Sequence, residues 1–139
     1  MSTNAMTDFN ENLIEEFRAN GGEVTGMFAD SPLLLLTTRG ARSGRELTVP
    51  LVYTRDGDRY VVIASKGGAP THPAWYHNLL ANPRATVEMG TESFEVDSAV
   101  VDGEERDRLY AAQAALMPGF AEYQRKTTRR IPVIALERV

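Results

Sequence analysis

With 139 residues, 42% of them hydrophobic and 24% charged, the chain has the make-up of one globular domain, long enough to bury a core without staples. There are no cysteines, which excludes disulfides, thiolate metal sites and cysteine nucleophiles and is compatible with a reducing cytoplasm, the location expected here. A net charge of −4 and a pI near 5.2 argue against general nucleic-acid binding, no apolar run approaches the ~20 residues of a bilayer span, and no signal peptide is visible.

Met1 to Met6 read as a disordered start. Asp8 to Ala19 reads as a helix capped by Thr7 or Asp8 and ended by Gly21-Gly22, with Phe9, Leu13, Ile14 and Phe17 as its apolar stripe. Glu11, Glu15 and Glu16 load its polar face with the wrong sign for anionic lipid, so this helix is expected to pack on the protein and not on a membrane. Leu33 to Arg39 is a near-continuous apolar run, expected as a buried or central strand.

The loop Arg39-Gly40-Ala41-Arg42-Ser43-Gly44-Arg45 follows, with three arginines, two glycines and no acid. Glycine lets backbone N–H groups approach a ligand, and arginine offers a fork of donors to phosphate or carboxylate oxygens. Such a loop between strands reads as an anion cradle; a hairpin loop with solvated arginines is the alternative. Leu47 to Thr54 alternates, with Leu47, Val49, Leu51 and Tyr53 on one face and Thr48, Pro50, Val52 and Thr54 on the other. Pro50 lacks the ladder donor, which implies an edge or a bulge. Asp56-Gly57 signals a tight hairpin into the strand Arg59 to Ser65.

Ser65-Lys66-Gly67-Gly68 is a second small basic turn at a strand end. The helix after it spans His72 to Ala81, with Thr71 or His72 as cap, Pro73 where a missing N–H costs nothing, and Asn82-Pro83 as the stop. Trp75 and Leu79 have the spacing of a core-facing pair. Strands are expected at Arg84 to Met89, Ser93 to Val101 and Ile131 to Arg138. A helix is expected at Glu104 to Leu116, opened by Asp102 and Glu105 in a capping-box pattern and broken by Met117-Pro118-Gly119. The basic run Arg125 to Arg130 reads as a solvated connector or as an extension of the anion site. About six short strands with flanking helices imply a mainly β, antiparallel barrel or sandwich.

Protein-borne chemistry is sparse. His72 and His77 are five apart, which does not put two metal ligands on one helical face. Walker, dinucleotide-fingerprint and nucleophile-elbow spacings are all missing. A site rich in donors and aromatics suits a borrowed cofactor that supplies the chemistry.

The series Thr-x-Gly-x-Arg-Ser-Gly, Thr-Val-Pro-Leu, Ala-Ser-Lys-Gly-Gly and Pro-x-Trp-Tyr-x-Asn-Leu-x-Ala-Asn-Pro, running from about Leu33 to the C-terminus, resembles the deazaflavin-dependent nitroreductase family. That resemblance implies a split β-barrel of the flavin-reductase and pyridoxamine-phosphate-oxidase kind over 1–139, with 1–30 a helix-bearing extension and 33–139 the cofactor-binding barrel. It implies coenzyme F420, a hydride carrier with a phosphate and a polyglutamate tail, and reduction of a small electron-poor acceptor such as a quinone, a nitro compound or an activated enone. FMN on the same fold, or a non-catalytic deazaflavin carrier, are the alternatives.

By analogy Arg42, Ser43 and Gly44 would hold the acidic groups, Thr48, Val49 and Pro50 would lie along the ring or its ribityl chain, and Ser65, Lys66, Gly67 and Gly68 would meet the ring edge and phosphate end. Trp75, Tyr76 and Asn78 would form the helix motif of the site wall, and Tyr123, with Ser65, would donate the proton or polarise the acceptor. Leu47 stands where relatives often carry a basic residue, and Met117 and Phe120 stand where nitroimidazole-reducing relatives carry tyrosines. Barrels of this kind often pair into homodimers.

Overall fold

The computed structural model describes residues 5–139. Its elements in chain order are α1 (Ala5–Ala19), β1 (Leu33–Arg39), β2 (Glu46–Val52), β3 (Thr54–Asp56), β4 (Arg59–Ile63), α2 (Ala74–Ala81), β5 (Arg84–Met89), β6 (Glu92–Val101), α3 (Gly103–Leu116), α4 (Gly119–Arg125) and β7 (Val133–Arg138). All seven strands join one antiparallel sheet in the order β2-β1-β5-β6-β7-β4-β3. The two edge strands, β2 and β3, are separated in sequence by Tyr53 alone, so one bent segment pairs with β1 through its first half and with β4 through its second. That bend curls the sheet on itself and turns the expected six strands into seven. It also explains Pro50: it lies on an edge, opposite Leu35, where no second ladder asks for its missing N–H.

Alternation sorts the side chains. Leu34 and Leu36, Tyr60, Val62 and Ala64, Ala85 and Val87, Phe94 and Val96, and Ile134 and Leu136 fill the barrel interior, with Val49, Leu51 and Tyr53 packed against them. Leu33 and Leu35 turn outward, onto Leu13 and Phe17 of α1. Val61, Ile63, Val133 and Ala135 turn outward under α3 and α4. The apolar run of β1 is continuous because both its faces are covered, as its sequence implies.

Three details of the sequence reading change. Helix α1 begins at Ala5, so Thr7 and Asp8 lie inside it and not at its cap, and of the disordered start proposed for Met1–Met6 residues 1–4 lie outside the described residues. Its C-terminus closes as expected, with the Gly22 N–H on the Phe17 carbonyl at 2.8 Å. Asp102 does precede α3, but its side chain makes no capping bond; Glu105 is drawn away to Arg59 at 3.1 Å. After the break at Met117 the chain forms a further helix, α4, where only a lead-in to the last strand was expected.

Candidate functional site

Strand polarity places the two basic turns. Because β1 pairs antiparallel with β2, β3 continues β2, and β4 pairs antiparallel with β3, the strands β1 and β4 run the same way. The loop after β1 and the turn after β4 therefore leave the same end of the sheet, and the connector into β7 enters there too. Helix α2 plugs this end, burying Trp75 and Leu79 in the barrel interior.

The first turn, Gly40–Arg45, is tied down by its own backbone and by α2. The Gly40 N–H donates to the Arg45 carbonyl at 2.7 Å, and the Arg45 N–H to Ser43 Oγ at 3.1 Å. A Cβ at Gly40 would sit 2.7 Å from Ser43 Oγ and 3.1 Å from the Arg45 carbonyl, so any larger residue there must displace the Ser43 hydroxyl that holds the turn. From α2 the buried Asn78 accepts the Ala41 N–H on Oδ1 at 3.0 Å and donates through Nδ2 to Thr38 Oγ1 at 3.0 Å. Asn78 thus holds the loop. Arg39, Arg42 and Arg45 are exposed, and none is in an ion pair among the described residues.

Beyond this loop, Thr48 on the outer face of β2 shares a hydrogen bond with Thr37 at 2.7 Å, and Pro50 is half-buried on the same face. Val49 turns its side chain into the barrel, so a ligand on the outer face would meet its backbone. Trp75 is 5% exposed, which makes it a wall from behind; Tyr76, half-buried, stacks near His72 with ring centroids 4.7 Å apart.

The second turn is conformationally demanding. Lys66 (φ 49°), Gly67 (64°) and Gly68 (83°) are all left-handed, and Lys66 is the one non-glycine there among the described residues. A lysine in this region costs about 1–2 kcal/mol, so its surroundings must impose it. Ser65 is right-handed helical, and the sequence of right- and then left-handed residues turns successive N–H groups toward one concavity, the geometry of an anion nest. The Gly68 N–H closes on the Ser65 carbonyl at 2.9 Å and the Ala69 N–H on the Lys66 carbonyl at 3.1 Å. Lys66 Nζ reaches Thr71 Oγ1 at 3.2 Å, which uses the hydroxyl proposed from sequence as a helix cap; α2 begins after Pro73 with no side-chain cap, from Thr71 or His72.

Arg129 was not singled out by the sequence and holds this turn from within. Its Nε donates to the Ala69 carbonyl at 2.8 Å, Nη2 to the Ser65 carbonyl at 2.6 Å, and Nη1 to the Ala64 carbonyl at 3.2 Å and to His72 Nδ1 at 3.0 Å. The basic run is therefore neither wholly solvated nor wholly an anion site. Its placement comes from α3 and α4: the buried Arg106 donates to the Ile131 carbonyl at 3.1 and 2.7 Å and to Gln124 Oε1 at 2.8 Å, while Gln124 Nε2 donates to the Arg129 carbonyl at 2.8 Å. His72 is kept below its usual range by burial, then by Arg129 and His77. It is a neutral imidazole whose Nδ1 accepts, which leaves the proton on Nε2.

Tyr123 and Ser65 adjoin the turn. An added Cβ at Gly68 would lie 2.7 Å from the Tyr123 carbonyl, so α4 presses directly on it. The Tyr123 ring meets Phe120 edge-on at 5.2 Å. Phe120, on α4, is buried against α3, its carbonyl accepting the Tyr110 hydroxyl, and so is a packing residue; Met117 is half-buried beside it. Two surface hollows, of about 430 Å³ beside Asp56, Arg59 and Glu137 and about 260 Å³ beside Arg18, Glu88 and Thr91, sit at the hairpins of the opposite end, where acids and bases already neutralise one another. The plugged end combines free cations, convergent amides and aromatic walls, with no cluster of metal ligands among the described residues. It can hold an anionic molecule and has no nucleophile–base pair to act on one.

Comparison with known proteins gives this end a context. The family model for F420H(2)-dependent quinone reductase matches residues 11–138. An F420H(2)-dependent quinone reductase of Mycobacterium tuberculosis is 41% identical over 110 residues, covering 77% of this chain and 74% of the relative. Among solved structures, an F420-H2-dependent reductase, FDR-A, superposes with a TM-score of 0.70 at 41% identity, over 76% of this chain and 94% of that one. A chain described as a domain-swapped dimer gives 0.72 at 36% identity, over 96% of this chain and 100% of that one. The haem protein HutZ of Vibrio cholerae, 17% identical with a TM-score of 0.61 over 93% of this chain and 89% of that one, shares the fold alone. No helix among the described residues is long and apolar enough to cross a membrane.

Proposed function

This chain belongs to the F420H(2)-dependent quinone reductase family, and from that footing we propose that it passes a hydride from reduced F420 to a quinone. The observation that carries the reading is the convergence of two basic, amide-rich turns on one plugged end of the barrel, bridged by α2.

The donor set fits the cofactor. Arg42 on one turn, and Lys66 with the nest amides on the other, offer charged and neutral donors to a phosphate and to carboxylates, each worth about 1.5–3 kcal/mol when the hydrogen bond is charged. Thr48, Pro50 and the Val49 backbone give a flat, half-apolar surface along β2, while Trp75 and Leu79 close the barrel behind it and keep water out. When bound, the deazaflavin supplies the hydride. Ser65, at the start of the turn, and Tyr123, whose backbone lies against Gly68, are the hydroxyl groups we assign to polarise the acceptor oxygen and deliver its proton. Nitro compounds and activated enones belong to the wider acceptor class. A homodimer is supported by the domain-swapped neighbour, and a cytoplasmic setting by the lack of cysteines.

The test is anaerobic mixing of protein and reduced F420 with menadione, followed by loss of the reduced-cofactor spectrum. Turnover with menadione exceeding that with a nitroimidazole is expected. Tight binding with no turnover of any acceptor would replace the reductase with a carrier.

A further inference from the structure

We propose that Arg129 is a positioning residue for cofactor binding: through three backbone carbonyls and His72 it fixes the left-handed Lys66–Gly68 turn in the shape that presents its lysine and amides to the cofactor's acidic groups. This rests on the reading above that the turn meets F420.

Four hydrogen bonds converge from one guanidinium on residues 64, 65, 69 and 72, that is, on both ends of the turn and on the approach to α2. The planar fork suits this task because its donors diverge at fixed angles; an ammonium is a point charge that cannot span the same four acceptors. Its position in the interior of the turn matters as much as its bonds. A Cβ at Gly67 would meet nothing within 4 Å, so no packing against neighbouring atoms holds the tip of the turn. The left-handed run therefore depends on what pins its ends, and those pins are Arg129 on one side and α4 against Gly68 on the other.

Arg129 is half-buried and four of its five N–H donors are used on the protein, so it acts on the ligand chiefly through geometry and through the carbonyl dipoles it offsets. Donating to three carbonyls at the turn offsets partial negative charge close to an anion site. The loop that carries Arg42 is held by Asn78 through the Ala41 N–H, and none of the Arg129 hydrogen bonds reaches it. Two turns with separate supports lead to a specific pattern of coupling.

The experiment is a double-mutant cycle on oxidised-F420 affinity together with hydrogen exchange on the cofactor-free chain. R129K is expected to weaken binding at least about tenfold, equivalent to ~1.4 kcal/mol. Adding K66A to R129K is expected to cost little more, because the lysine is already misplaced, whereas adding R42A is expected to cost its full single-mutant factor. In the free protein, the Gly68 and Ala69 amides are expected to exchange faster in R129K and in R129Q while those of β5 and β6 keep their protection. Wild-type affinity in R129K, or full additivity of R129K with K66A, overturns the proposal. So does unchanged exchange at Gly68 and Ala69, which is read without any cofactor. A wild-type chain that binds no F420 overturns the functional reading by itself, and the exchange result then shows whether Arg129 at least fixes the turn. Loss of protection throughout the sheet in both variants would mean a general folding role and also overturns it.

Discussion

Asn78 accepts the backbone N–H of Ala41 at 3.0 Å, joining the middle of α2 to the loop between β1 and β2. Its other end donates to Thr38, buried at the top of β1, so a single amide sets the height of the arginine loop above the barrel. Asn78→Ala strips both partners and should destabilise the fold by about 1–3 kcal/mol, the cost of leaving a buried polar group unmatched. Asn78→Asp keeps an acceptor for Ala41 and should lose less. Denaturant midpoints of the two variants check the ranking; equal stability of Asn78→Ala and wild type would show that the loop is held by its own turn alone.

Arg42 should act on binding and Tyr123 on turnover. Arg42→Ala is expected to weaken F420 binding by about 1.5–3 kcal/mol if its guanidinium makes a charged hydrogen bond to the cofactor. Tyr123→Phe should lower kcat with reduced F420 and menadione by a larger factor than it raises the dissociation constant. The reverse ranking for Tyr123 would take it out of the acceptor's path.

Neighbouring glycines in one turn should respond differently. At Gly68, φ is +83° and a Cβ would lie 2.7 Å from the Tyr123 carbonyl and 3.0 Å from Lys126 Cβ, so Gly68→Ala must displace α4 and should cost about 2–3 kcal/mol. Gly67→Ala meets no atom within 4 Å and carries only the left-handed strain, about 1–2 kcal/mol. Thermal unfolding of both separates steric from torsional cost; identical losses would contradict the packing of α4 on Gly68.

Acid should loosen the mouth before it loosens the rest. The His72 imidazole faces Arg129, Tyr76 and His77, and burial, Arg129 and His77 together hold it below its usual range. The unfolded chain therefore takes up this proton first as pH falls: the stability is fully present above about 6.5 and is lost as pH drops through the folded value. Asp56, lowered by hydrogen bonds from Arg59 and then Arg108, acts in a separate and more acidic window. His72→Asn should remove the first part of the pH dependence and leave the second, measured as unfolding midpoints between pH 8 and pH 4.

Much of this was legible in the residues. The alternation of Leu47 to Thr54 gave the inward and outward faces of β2, and Leu33 to Leu36 announced a strand covered on both sides. The Gly-Arg loop and the Lys-Gly-Gly turn stood out by composition, and their common end of the barrel follows from strand directions that hairpin spacing already implies. What sequence could not show was long-range pairing of polar groups. Arg129 contacts residues about sixty positions away and sits in a run of six with three other basic residues that nothing local distinguishes from it. Gln124 and Arg106 were invisible as its support for the same reason. Capping went wrong at Asp102 because a tertiary partner, Arg59, outcompetes the helix end for Glu105.

The most direct test of the central claim is a titration of the purified chain with oxidised F420, followed by the fluorescence of Trp75, the one tryptophan, which α2 buries at the plugged end. Saturable quenching in the micromolar range or below is predicted, greatly weakened in a variant lacking both Arg42 and Lys66 while the fold is kept. No saturation below about the millimolar range, or saturation unaffected by that pair of substitutions, would contradict the assignment of the cofactor to this end of the barrel.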